Sequence, residues 1–376
     1  MYPNISNGEK LYSIDLLKSL AILMILFVHT GQMFKGSILY DTAKLGQLGC
    51  QCFFVISGFT LCLSWDRRKV TARDFFLRRY KTIAPGYYFT LLLFASITIF
   101  VQQFNIPHYW EANLELGGVL SNSFLIHGLF PDYMNTVVPG GWYIGTTILM
   151  YITFPLLKRT LEWMQGRSLW LTAVIPLLLS LTVISTWAFI EKYVPDIELG
   201  NDTFVYFSIL TQYPCFVLGG VLYVLRCDVS KAPNLILTIL LTVLFGASSI
   251  WLFFSEWQYA FAILPLLAAS CSACVLVVLI RTVDSSTTYQ GSFLQRNASR
   301  ISRVSYEMYL LHTLFAYFLV WYAHKVVRYL TGIEIFYYTA TMIVSYIVVI
   351  VCSYYSAKVM HRLINKVKEK LLKVTI

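Results

Sequence analysis

An aspartate, a lysine and a histidine share one apolar stretch near the amino terminus, Tyr12-Ser-Ile-Asp-Leu-Leu-Lys-Ser-Leu-Ala-Ile-Leu-Met-Ile-Leu-Phe-Val-His-Thr-Gly. His29 follows Lys18 by eleven residues, about 16 Å of helical rise. In a hydrocarbon slab about 30 Å thick, a lysine at one edge leaves that histidine near mid-depth. Ionisable groups there are costly, so a functional role is the default, and imidazole exchanges its proton near neutral pH. The plain alternative is a histidine that only donates to a carbonyl of a neighbouring helix. A second histidine closes Ser305-Tyr-Glu-Met-Tyr-Leu-Leu-His312, two helical turns after Ser305 and one and a half beyond Glu307. His312 beside a carboxylate could orient a substrate or relay a proton; the alternative is a His and a Glu each bound to neighbouring helices.

The elements that hold these residues must lie in a membrane. Of 376 residues, 57% are hydrophobic and only 13% charged, far from the composition of a soluble globular chain. Ten candidate spans emerge, near 12–34, 45–65, 84–103, 141–158, 168–190, 204–225, 233–254, 258–280, 303–323 and 335–357. They leave no room for a separate aqueous domain, so residues 1–376 read as one all-α polytopic membrane domain. The first span lacks a cleavage site and reads as retained. With the amino terminus inside, all of the 29 Lys and Arg except Lys35, Lys44, Lys192, Lys325 and Arg328 fall on the cytoplasmic side. Both termini are therefore expected in the cytoplasm, as a short segment 1–11 and a tail from about 358. The net charge of +10 follows from this topology, and nucleic acid is not implied.

Residues 103–141 are too many for an ordinary connection, and their apolar part, Gly118 to Phe130, is too short to cross. A re-entrant or interfacial element fits. His127 would then sit near the outer face, lining an approach to a cavity or merely solvated. Pro139-Gly140-Gly141 breaks the backbone before span four, where Trp142 suits an interfacial anchor. Ser57 and Gly58, inside span two, either allow close helix packing or line a substrate path. The eight cysteines lie mostly in apolar runs as small buried hydrophobes. Cys50-Gln-Cys52 and Cys271-Ser-Ala-Cys274 have no nearby His to complete a zinc site, so no metal is expected.

Four further motifs accompany Asp15-x-x-Lys18-x10-His29: Cys52-Phe-Phe-Val-Ile-Ser-Gly-Phe-Thr, Arg73-Asp-Phe-Phe-Leu-Arg-Arg-Tyr-Lys-Thr-Ile-Ala-Pro, Trp142-Tyr-Ile-Gly-Thr-Thr-Ile-Leu-Met-Tyr-Ile-Thr-Phe-Pro and the Ser305–His312 stretch. In this order they resemble the integral-membrane acyltransferase family 3. The resemblance implies a stand-alone bacterial inner-membrane enzyme that moves an acyl group, commonly acetyl, from a cytoplasmic acyl-coenzyme A to a hydroxyl of a surface glycan or lipid-linked saccharide. Acetyl-coenzyme A is then a substrate, with no cofactor held permanently. A sugar hydroxyl is a poor nucleophile, and a base must take its proton as it attacks. His29 suits that role. Lys18, Arg78, Arg79 and Lys81 would hold the donor's phosphates, while Arg67, Arg68 and Lys69 serve equally well as topology signals touching anionic lipid.

The chain departs from the family pattern in three places. Lys18 stands where an arginine is usual, Thr82 follows Arg79-Tyr-Lys where a second arginine is common, and Thr147 stands where a glutamate is common after the Trp of span four. Either another acid, Glu307 or Asp15, takes that role, or this member is altered in substrate or activity. A competing class, a non-enzymatic transporter or flippase of a glycan or lipid precursor, is compatible with ten spans and with the missing acid at Thr147.

Overall fold

A computed structural model describes residues 11–68, 71–107, 110, 112–165, 167–193, 203–226, 234–255, 257, 259–284, 286 and 289–374. Among these residues the regular elements are helices. They are α1 (Tyr12–Gly31), α2 (Tyr40–Lys44), α3 (Gly49–Arg68), α4 (Ala72–Gln103), α5 (Leu116–Ser123), α6 (Gly141–Gln165), α7 (Leu169–Tyr193) and α8 (Thr203–Phe207). The second half holds α9 (Ile209–Arg226), α10 (Leu235–Phe253), α11 (Ala260–Thr282), α12 (Phe293–Arg303), α13 (Ser305–Thr313), α14 (Trp321–Thr331) and α15 (Thr339–Val374). Between α13 and α14 the chain stays helical but widens into a π segment, Leu314–Val320.

Nine helices among the described residues are long and apolar enough to cross a membrane. They coincide with nine of the ten expected spans. The tenth is α6, 25 residues long, whose Gly, Thr, Trp and Tyr side chains dilute its apolar character. Besides α6, which runs on to Gln165 instead of 158, three helices outrun their expected limits. α4 begins at Ala72, so Pro85 lies inside it rather than opening a span. Its early turns are held by Phe75, which is buried and packs on Trp65 and Phe154 while Arg73, Arg78 and Lys81 are exposed. α15 likewise continues past 357 to Val374. The third is the helix from Ser305, which runs through the π segment to Thr331. The described residues of 104–140 contribute the short α5 and one turn at His127–Leu129, too short to span.

The chain forms two compact units. The first contains Cys50–Phe76, Trp142–Ala298 and the start of α1 through Lys18. Its central helix is α3: 72% of the apolar window of Tyr40–Arg68 is buried, against 17% for α10, which leaves its apolar surface to lipid. α3 and α9 touch backbone to backbone. A Cβ placed on Gly58 would meet the Phe216 carbonyl oxygen at 2.1 Å, and one on Gly219 would meet that of Val55 at 2.1 Å. Van der Waals contact between small residues drives association where both solvent and side chains are apolar. Gly58 is thereby a packing residue. At the end of α3, Asp66 accepts from the buried Lys158 at 2.8 Å and from the Tyr223 hydroxyl at 2.7 Å.

α1 begins on an anchor in the same unit. The Asp284 carboxylate accepts from Ser13 N at 3.0 Å and Ser13 Oγ at 2.5 Å, a negative group at a helix amino terminus. Burial pushes the Asp284 carboxyl up from the usual carboxylate range, against the pull of those hydrogen bonds.

The second unit contains Ser19–Gly49, Leu77–Gly141 and Ser299–Ile376. Tyr346 of α15 donates to the Leu23 carbonyl at 2.9 Å and packs edge-on against Phe27, fixing the rotation of α1. Tyr306 of α13 donates to the Ile83 carbonyl of α4 at 2.7 Å. Tyr309, one turn deeper in, donates to the Gly140 carbonyl at 2.7 Å. Gly140 has φ of +79°, a left-handed backbone that glycine adopts freely.

Candidate active site

His29 and His312 meet. Their ring centroids lie 4.8 Å apart, with His312 fully buried and His29 partly accessible. The hydrogen bonds around the two rings fix where their protons sit. Tyr317 donates its hydroxyl proton to Gln32 Oε1 at 3.1 Å, so its oxygen is left to accept from His29 Nδ1–H at 2.8 Å. Gln32 Oε1, an acceptor, also faces His29 Nδ1 at 3.3 Å. In His312, Nδ1–H donates to the Tyr309 carbonyl at 2.5 Å. Each imidazole therefore carries its proton on Nδ1 and presents a lone pair on Nε2. The Nε2 of His312 is buried with no hydrogen-bond partner among the described residues, a costly condition that native structures keep for a reason.

Helix pitch makes this meeting possible. Five residues separate His312 from Tyr317, and in a regular α-helix that step leaves two side chains roughly 140° apart. The π segment from Leu314 closes its bonds from i to i+5 and returns the fifth residue toward the same face. Both side chains thus reach His29. Gln32 arrives more simply, three residues after His29, where its N–H donates to the Val28 carbonyl at 2.9 Å. Gln32 also lines a cavity of about 330 Å³ with Lys35, Trp321, Glu334 and Tyr337, within the range of small-molecule sites. Glu334 accepts there from His324 at 3.1 Å and Arg328 at 2.8 Å.

Residues 11–354 match the family model described as an acyltransferase domain, Acyl_transf_3. The chain belongs to the acyltransferase 3 family. A relative, acyltransferase MdmB of Streptomyces mycarofaciens, is 23% identical over 305 residues, which cover 77% of this chain and 72% of that protein. No solved structure matches the chain.

The other expected site residues of this acyltransferase are placed as follows. Neither candidate acid reaches the histidine pair. Asp15 is fourteen residues from His29, about 21 Å along α1, and acts on Asp284 and Tyr289. Glu307 accepts from His361 Nδ1 of α15 at 2.6 Å. Neutral Gln32 and Tyr317 hold His29 where a carboxylate was expected. Thr147 is buried on α6 with its hydroxyl beside that of Tyr143, which also faces Ser57. Trp142 is buried and stacked on Phe207 at 4.2 Å, so it anchors the protein core and not a lipid interface. His127 is fully buried: Nε2–H donates to the Gly141 carbonyl at 2.9 Å, and its ring stacks on Tyr87. Burial pushes its imidazole down to about 4, leaving a neutral residue that clamps the turn before α6.

Of the expected phosphate contacts, Lys18 is half-buried on α1, Arg79 is half-buried on α4, and Arg78 and Lys81 are exposed beside it. Lys69, like Cys227, lies outside the described residues. Seven cysteines are free thiols.

Gln32 and Tyr317 escaped the sequence reading. Gln32 had a signal, a polar residue one turn beyond His29 on an apolar helix. Tyr317 had none, because an α-helical wheel points it away from His312. Replacing Tyr317 with Phe is expected to lower kcat for acyl transfer by about tenfold, since one oriented hydrogen bond on His29 is lost. The KM values for donor and acceptor should stay near wild type, and a changed KM with unchanged kcat would assign Tyr317 to substrate binding instead.

Proposed function

We propose that this protein is an O-acyltransferase of a bacterial inner membrane that moves an acyl group, acetyl in the simplest case, from coenzyme A to a hydroxyl of a saccharide-bearing acceptor. One observation carries the reading: two imidazole rings meet at 4.8 Å, each with Nδ1–H anchored to an acceptor, and the Nε2 of His312 is buried without a partner among the described residues. His29 Nε2 takes the proton of the attacking hydroxyl as the new C–O bond forms at the thioester carbon. When the C–S bond breaks, the imidazolium returns that proton to the departing thiolate. The Tyr317–Gln32 pair stabilises the intermediate imidazolium through Nδ1–H. His312 Nε2 accepts a second hydrogen bond and orients the acceptor.

The cavity beside Gln32 suits the acceptor, because Trp321 and Tyr337 offer ring faces and Lys35, Gln32 and Glu334 offer polar groups. The positive-inside distribution favours the opposite, amino-terminal end of α1, where Lys18 lies, for the donor. The test is mass spectrometry of surface saccharide from cells with and without the protein, paired with turnover of radiolabelled acetyl-coenzyme A by the purified protein in phosphatidylcholine vesicles. Protein-dependent addition of an acetyl group with thioester turnover is expected. Passage of saccharide across the vesicles without thioester turnover would overturn the enzyme in favour of a carrier.

A further inference from the structure

In the second unit, α12 and α15 border a cavity of about 350 Å³ that is separate from the histidine pair. Arg300 and Arg303, one turn apart on α12, face Lys358 and Arg362, one turn apart on α15. Tyr354 and His361 complete the walls with Val304, and none of the lining residues is acidic. Glu307 stands just beyond, engaged by His361 Nδ1. It thereby fixes the ring that closes one side of the cavity. Lys358 Nζ lies 6.0 Å from the centroid of the Tyr354 ring, so that cation rests on an aromatic wall.

α4 brings further positive charge to the same side. Ile83 meets Tyr306, and Gly86 faces both Tyr306 and Leu310, so α4 and α13 run in the same direction. Arg79 lies one turn before Ile83 on α4, toward the end of that contact at which α13 begins.

Four fixed cations from two helices around a small cavity are suited to a dense anion. Guanidinium forks match phosphate oxygens two at a time, and a phosphomonoester carries about −1.5 to −2 at neutral pH. We propose that this cavity binds adjacent phosphate groups, as found in the nucleotide end of coenzyme A or in the headgroup of an anionic lipid. The coenzyme A source rests on the acyl-transfer reading above; the phosphate chemistry does not.

The test measures coenzyme A binding by calorimetry to the full chain in nanodiscs of phosphatidylcholine. Arg303→Gln with Arg362→Gln, both exposed in the fold, is expected to weaken binding by at least about tenfold, and inorganic pyrophosphate should compete in the wild type. Arg73→Gln with Lys366→Gln removes as much charge from outside the cavity and should change little. His29→Ala should bind coenzyme A as the wild type does, so binding and catalysis are scored apart. If coenzyme A binding is unaltered by the double change but the thermal stabilisation conferred by phosphatidylglycerol is lost, the phosphate is a lipid's and the site stands. If neither response depends on Arg303 and Arg362, or the control pair loses as much, the proposal is overturned. Should the double variant fold poorly, Arg362→Gln alone carries the same comparison, with a loss of about threefold or more.

Discussion

Replacing His29 with alanine is expected to reduce acyl transfer by about 10²- to 10⁴-fold, the contribution of a positioned general base, while leaving the amount of protein in the membrane unchanged. The second half of that expectation follows from the ring's surroundings. His29 is partly accessible, and its hydrogen bonds run to two side chains, Gln32 and Tyr317. Losing it breaks no backbone pairing. His312 cannot take over, because its Nδ1–H is held by the Tyr309 carbonyl and that bond fixes the ring's orientation. Acetyl incorporation is the readout, with immunoblots of membranes for abundance. An alanine variant that transfers at the wild-type rate would remove His29 from the chemistry.

The largest effect on stability is expected at Gly219. A valine there would push its Cβ to 2.1 Å from the Val55 carbonyl oxygen, and the obstacle is backbone of α3 rather than the end of a flexible side chain. The two helices would have to separate along the seam they share, at Gly58 as well as at Gly219. Overpacking commonly costs about 1–3 kcal/mol and more when backbone must move. The thermal unfolding midpoint in detergent should therefore fall by roughly 5 °C or more. Gly246→Ala on α10 is the matched control, since its Cβ would meet only Cys271 Sγ at 3.5 Å. Equal midpoints for the two variants would refute the packing role of the α3–α9 seam.

The helices and the two histidines were legible in the sequence because each rests on a local signal. Apolar length marks a span, and a lone imidazole within it marks a place where burial is costly. The partners of the histidines were less legible. Glu307 stands near His312 in the chain, yet its carboxylate turns to His361 of α15, a residue fifty-four positions away. Sequence spacing along α13 carries no trace of that choice. Trp142 and His127 were placed by type, as a belt tryptophan and as a histidine near the outer face that either lines a cavity approach or is solvated. Both are enclosed instead, by Phe207 in one case and by Tyr87 and the Gly141 carbonyl in the other. Residue type reports what a side chain tolerates, and only the fold decides which neighbour arrives first.

The widened turn from Leu314 to Val320 has a consequence for inheritance and for engineering. A π turn is an α-helix holding one residue more than its pitch accommodates. Deleting a single residue there would let the backbone anneal into a regular helix, still apolar and still long enough to cross. A deletion among residues 318–320 would leave Tyr317 five residues beyond His312 in a regular helix, roughly 140° away from it, while Trp321 and His324 kept their faces because the widened turn had absorbed the extra residue. The arrangement around His29 could in this way be dismantled by one codon, with His29, Gln32, His312 and Tyr317 all intact in the sequence. Relatives that differ by one position between His312 and Trp321 are accordingly the place to find members of this fold that keep the histidines and have changed their chemistry.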